Sequence, residues 1–178
     1  MPTETRAKRG LVSGVVVATV ATMICVTASA QQDKESGRNI SATMQAASRS
    51  LTECAAPLYA DAKYAEITSH FPANGTETSL AQLGDDSLAT KKQIALILEY
   101  DAAQQVCRLA YVKEVQSVLP TLAAILQDEY TKLEFNTLDL IKKKIAWGIW
   151  SKKRKEITTE LGLRWTAESQ RIQRGQHQ

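Results

Sequence analysis

TKKQIALILEYDAAQQVCRLAYVKEVQSV, Thr90 to Val118, decides how this chain is read. It opens on a capping box. Thr90 sits at the N-cap and Gln93 three residues on, so each side chain can accept from the other's backbone N–H. No glycine or proline follows until Pro120. At about 100° per residue, Ala95, Leu96, Leu98, Ala102, Ala103, Val106, Cys107, Leu109 and Ala110 share one wide arc, with Asp101, Gln104 and Arg108 opposite. The expectation is a long central helix, its apolar arc against the core and its polar side in solvent.

Cys107 gives this helix a partner. The chain has three cysteines, Cys25, Cys54 and Cys107. Cys25 lies in a segment with the layout of a secretory signal: Arg6, Lys8 and Arg9, then the apolar run Leu11 to Val26, then the small-residue site Ala28-Ser29-Ala30. The run is short for a membrane span, so cleavage before Gln31 is expected rather than a retained anchor. Ile24 is too bulky to precede a lipidated cysteine. Two cysteines then remain in an exported chain, and a Cys54–Cys107 disulfide follows. Closing that loop stabilises the fold by about 4 kcal/mol on the chain-entropy account.

Outward from the central stretch the pattern stays helical. Ile40, Met44, Ala47, Leu51, Cys54 and Leu58 alternate steps of four and three, a seam for packing on a neighbour. Pro57 is expected to kink or interrupt that helix. Phe71 to Thr76 reads as a loop with a tight turn at Asn74-Gly75. Leu119-Pro120 ends the central helix and starts the next. That helix carries Leu122, Leu126, Tyr130, Leu133, Leu140 and Ile141 inward, with Lys142, Lys143 and Lys144 at its negative end. A turn around Ile145 to Gly148 leads to a last helix with the seam Trp150, Ile157, Leu161, Trp165 and Ile172, Arg154 among them. The organisation expected is a signal peptide over 1–30, a disordered lead over 31–39, one helical domain over 40–173 and a frayed tail over 174–178. The fold class is all-α, a single-domain bundle of about four helices stapled by Cys54–Cys107.

Chemistry is sparse. The sequence holds no GxSxG, HExxH, P-loop or GxGxxG, and no CxxCH for haem. His70 and His177 are far apart, and no ligand cluster at turn spacing accompanies them. No cofactor, metal or catalytic residue is expected. Asp85/Asp86 read as turn residues, and Asp128/Glu129 as an exposed helix side.

Charge is the one feature above background. Residues 31–141 hold 9 Lys and Arg against 15 Asp and Glu, a net of −6; residues 142–178 hold 10 against 3, a net of +7. Trp147, Trp150, Lys152, Lys153, Arg154 and Lys155 combine amphipathic rings with cations. They are the candidate surface for an anionic envelope component or an acidic protein. An exported chain has little call to bind nucleic acid, and cleavage of the leader leaves no integral membrane segment. The expected function is that of a periplasmic or secreted binding protein. The alternative is a small helical enzyme acting on an anionic metabolite, for which Arg108, Arg154 and Gln104 are the candidate residues.

Overall fold

A computed structural model describes residues 40–71 and 77–175. The targeting segment, the lead, the Asn74-Gly75 turn and the last three residues lie outside the described residues. Every regular element among those described is helical. The helices are α1 (residues 40–60), α2 (Ala65–Thr68), α3 (Leu80–Leu83), α4 (Lys91–Val118), α5 (Pro120–Ile141) and α6 (Trp147–Gly175). The long ones, α1, α4, α5 and α6, make an all-α bundle.

Local chemistry explains most boundaries. The Thr90 hydroxyl accepts from the Gln93 N–H at 3.1 Å and the Gln93 carboxamide oxygen from the Thr90 N–H at 2.9 Å, which closes the expected capping box. Leu119 leaves the helical region at φ −140° and ψ 73°, and Pro120 takes the first turn of α5. A break between α5 and α6 is present as expected, but it lies earlier, over residues 142–146, with Trp147 and Gly148 already in α6. Its mechanism is a C-terminal hairpin of hydrogen bonds: the Lys143 N–H reaches the Leu140 carbonyl and the Lys144 N–H the Asp139 carbonyl, both at 2.9 Å. Lys143 fills the left-handed position of this motif, φ 56°, which glycine usually occupies.

Pro57 does not interrupt α1, which runs on to residue 60. Pro57 and Glu53, whose carbonyl loses its donor, are both solvent-exposed. There a missing helical bond is least costly. The chain turns instead at Asp61, whose side chain accepts from the Lys63 N–H at 2.8 Å and caps a 3-10 turn, Ala62–Tyr64.

Cys54 and Cys107 are bonded, with Cα atoms 5.7 Å apart. The bond ties α1 to α4, and the α1 seam faces inward, with Ala47 fully buried and Met44 and Leu58 packed on the core. Two apolar clusters follow. One gathers Tyr64, Ile67, Phe71, Ile97, Leu140, Trp147 and Trp150. The other gathers Val112, Val115, Leu122, Ala123 and Leu126 at the α4–α5 hinge end.

The central helix is turned the other way round from expectation. Leu98, Val106 and Leu109 are 54%, 68% and 63% exposed, and Ala102 and Ala110 are exposed beside them. Gln93, Ile97, Tyr100, Gln104, Cys107 and Tyr111 point inward instead, at steps of four and three. The widest apolar arc was therefore the wrong guide. A bundle helix buries the stripe that meets its neighbours, and here that stripe is partly polar because it lines a cavity.

Candidate functional site

A cavity of about 440 Å³ lies between α1, α4, α5 and α6, within the size range of small-molecule sites. Helix phase sets its walls. On α4, Ile97, Tyr100, Asp101, Gln104 and Arg108 follow one another along the inward face. Helix α5 runs antiparallel and offers Leu140, Thr137, Leu133, Tyr130 and Glu129. Helix α6 runs back again with Trp147, Trp150, Arg154 and Thr158. Leu51, Thr52, Ala55, Ala56 and Tyr59 of α1 close the fourth side, with Ile67 and Phe71 at one end.

Direct bonds fix this register. The Asn136 amide donates to the Trp150 carbonyl at 2.9 Å, and the Trp150 indole donates to the Thr137 hydroxyl at 3.3 Å. Farther along, Lys132 bonds Glu160 at 2.7 Å and Arg164 pairs with Asp128. These rungs place Arg154 and Thr158 opposite Leu133 and Glu129.

The cations enter from two helices. The Arg108 guanidinium donates to Asp101 at 3.1 Å and lies 5.4 Å from the Tyr130 ring. Arg154 sits 5.4 Å from the Phe71 ring and 5.7 Å from the Trp150 ring. Such stacking holds a guanidinium in an apolar wall without neutralising it. Opposite them, Glu129 is only 7% exposed. Burial pushes its carboxyl up to about 7, against the pull of Arg108 and Arg154 and a hydrogen bond from Thr158. Two guanidiniums thus share the cavity with the salt-bridged Asp101 and a carboxyl that is about half neutral near pH 7. The balance is positive, and most so when Glu129 carries its proton.

Further polar groups line the space. The Gln104 amide donates to the Tyr100 hydroxyl at 2.8 Å, which fixes both side chains. The Trp147 indole N–H is buried and has no acceptor among the described residues.

The residues expected to form an outer surface are divided by the helix. Trp147 and Trp150 are 1% and 7% exposed and belong to the core and the cavity wall, so they contribute nothing to a wet interface. Arg154 points the same way. Lys152 and Lys155 are exposed, and Lys153 is half-exposed with its ammonium 3.8 Å from Asp139. Arg108 and Gln104, expected on a solvated side, face the cavity. So does Glu129, while its neighbour Asp128 stays on the surface. Glu129 was the residue missed, although a signal existed: Leu122, Leu126, Glu129, Leu133, Asn136 and Leu140 alternate steps of four and three, a seam with two polar members.

Below the cavity, His70 is locked in place. Its ring stacks on Trp147 with centroids 4.3 Å apart, and its nitrogens contact the Asp85 carboxylate at 2.7 Å and the Gln93 amide at 3.1 Å. Burial pushes the Asp85 carboxyl up, but bonds from Ser87 and His70 outweigh it and hold it below its ordinary range. Gly148 lets this knot close: its N–H donates to the Asp85 carbonyl at 2.6 Å, and a Cβ there would lie 2.5 Å from the Leu83 carbonyl oxygen.

Among the described residues, no group of three or more His, Cys, Asp or Glu is placed to hold a metal ion, and no helix is long and apolar enough to cross a membrane. No family model, curated protein or solved structure matches this chain.

Proposed function

We propose that this chain is an exported helical binding protein that captures a small organic anion in its interior cavity. The observation that carries the reading is the meeting of Arg108 and Arg154 with the buried Glu129 in one partly open, largely apolar space. Buried cations are costly unless something compensates them. An anion in the cavity would add to the pairing that Arg108 already has with Asp101, where charge–charge attraction is less screened than at the open surface. The leader's charge, apolar run and A-x-A site support export, as does the disulfide. Native mass spectrometry of the protein isolated from its own cells tests capture. A non-covalent acidic adduct lost on denaturation is expected. An empty protein that also fails to bind any of a panel of organic carboxylates refutes it.

A second reading uses the outer face. Lys142, Lys143, Lys144, Lys152 and Lys155 are exposed close to one another in sequence, on the α5–α6 connection and the start of α6. They suit an anionic surface or an acidic protein, now without the tryptophans. Charge reversal of Lys152 and Lys155 is expected to abolish salt-sensitive binding to anionic vesicles; unchanged binding removes this reading. The enzyme alternative shares the cavity, with Glu129 able to exchange a proton near neutrality. Chemical change in the captured anion, absent with Glu129→Gln, would distinguish it from simple binding.

A further inference from the structure

On the side of α4 away from the cavity, the helix carries an exposed strip. Leu98, Ala102, Val106 and Leu109 recur at steps of four, four and three, and the three larger side chains are each more than half exposed. Asp101 and Arg108, the charged residues of this stretch, turn to the cavity and bond each other. The strip is therefore uncharged from Glu99 to Lys113, where it ends in one anion and one cation. Apolar side chains gathered at this spacing on one helix are the pattern of a helix–helix seam, and an exposed seam calls for a second helix.

The layout of the strip is symmetric about Val106. Ala102 and Ala110 stand four residues to either side of it, Glu99 and Lys113 seven. Seven residues are close to two helical turns, so Glu99 and Lys113 share a side of the helix with Val106. We infer that this face pairs two copies of the chain, α4 against α4, antiparallel and centred on Val106. That arrangement sets Val106 on its own counterpart at the two-fold axis, Ala102 on Ala110, and Glu99 on Lys113 at both ends. The charges fix the direction, because a parallel pair would set like on like. Glu99 bonds Lys63 and the Tyr64 hydroxyl through one carboxylate oxygen, which leaves the other for the second copy. Lys113 is exposed and makes no ion pair among the described residues. The alanines let the two backbones approach, with Leu98 and Leu109 filling the space beside them. From Leu98 to Lys113 the strip runs about 22 Å and is one helix, about 10 Å, wide. That is less than the roughly 800 Å² per chain of a standard interface, so the pair forms and parts reversibly. The cavity lies on the opposite face of α4, so this pairing does not depend on what the cavity holds.

The test is sedimentation velocity of the oxidised protein from about 1 to about 500 µM, with thermal unfolding of each variant as the check on its fold. A reversible monomer–dimer equilibrium is expected, with a dissociation constant on the order of 10–100 µM. Val106→Glu sets like charges against each other at the axis and should weaken pairing about tenfold or more, while its exposed position leaves unfolding unchanged. Leu163→Glu, at an equally exposed apolar position on α6, should leave pairing as it is. Lys113→Glu should weaken pairing about fivefold, and adding Glu99→Lys should restore it, because the end charges are then exchanged rather than matched. A protein that stays monomeric over the whole range overturns the proposal, whatever else the strip meets. A dimer that survives Val106→Glu, or that Leu163→Glu dissolves, lies on another surface and overturns it as well. A loss in Lys113→Glu that Glu99→Lys does not restore overturns the antiparallel register. Should the doubly substituted chain fail to fold, Val106→Glu against Leu163→Glu still decides the surface.

Discussion

Replacing Glu129 by glutamine is expected to remove a pH-dependent weakness from the fold. The side chain keeps its size, and its amide oxygen can still accept from Thr158. What it loses is titration. In the folded chain the carboxyl sits at about 7 against an ordinary 4.5, so the folded state holds a proton that the unfolded state has already released. The sign follows from linkage: the contribution is fully present below pH 4.5, declines as pH rises and levels off above about 7. Each pH unit in that window is worth about 1.4 kcal/mol, which sums to about 3 kcal/mol at most. Urea denaturation of the oxidised protein at steps from about pH 4.5 to pH 8 reads this directly. Wild type should lose stability across the window, and Glu129→Gln should hold level. The gap should open from near zero to about 3 kcal/mol with the urea slope unchanged. Parallel curves for the two proteins would refute the placement of a protonated carboxyl among the cavity's guanidiniums.

Other perturbations separate the fold's fixed points from its tolerant ones. Gly148→Ala should cost about 1–3 kcal/mol in thermal or chemical unfolding, because the new Cβ meets backbone at Leu83 and Asp85. Gly162→Ala, with nothing within 4 Å, should instead stabilise α6 by about 0.5–1 kcal/mol. Lys143→Gly relieves the left-handed position after α5 and should raise stability by about 1 kcal/mol, measured by the same unfolding curve. Asp85→Asn should cost about 1–3 kcal/mol at neutral pH. Because the native carboxyl is held low, its contribution is present above the ordinary Asp range and lost as pH falls through the folded value. The acid limb of the stability profile should therefore flatten in the variant.

Much of the architecture was legible because it rests on short-range chemistry. The Thr90–Gln93 box, the Leu119-Pro120 hinge and the break after Ile141 are local events, and a single cysteine pair left one bond to draw. The rotation of α4 was not legible from hydrophobicity. Its exposed Leu98, Val106 and Leu109 outnumber the apolar groups it buries along the cavity, so a count of greasy positions chose the wrong side. The four-three spacing of Gln93, Ile97, Tyr100, Gln104 and Cys107 held the answer, since bundle geometry selects by position before it selects by polarity. Trp147 and Trp150 misled for a related reason. Lysine neighbours suggested an interface, but residues adjacent in sequence on a helix face different directions. Glu129 shows the same rule from the other side. A carboxylate at a seam position is buried whatever its type, and its chemistry then adjusts to the place.

The Cys54–Cys107 bond has an unequal pair of ends. Cys54 is exposed, while Cys107 is 2% exposed, with the Ala103 carbonyl 3.9 Å from its sulfur. An attacking thiolate reaches the outer sulfur first, and exchange there must expel the inner one as an anion into a buried setting. Burial makes a thiolate a poor leaving group. Small reductants should therefore open the bond slowly, and faster whenever α1 parts from α4 and lets water reach the Cys107 sulfur. Any occupant that holds those two helices together would slow the exchange further, which makes the rate of thiol release a clock for what the bundle contains.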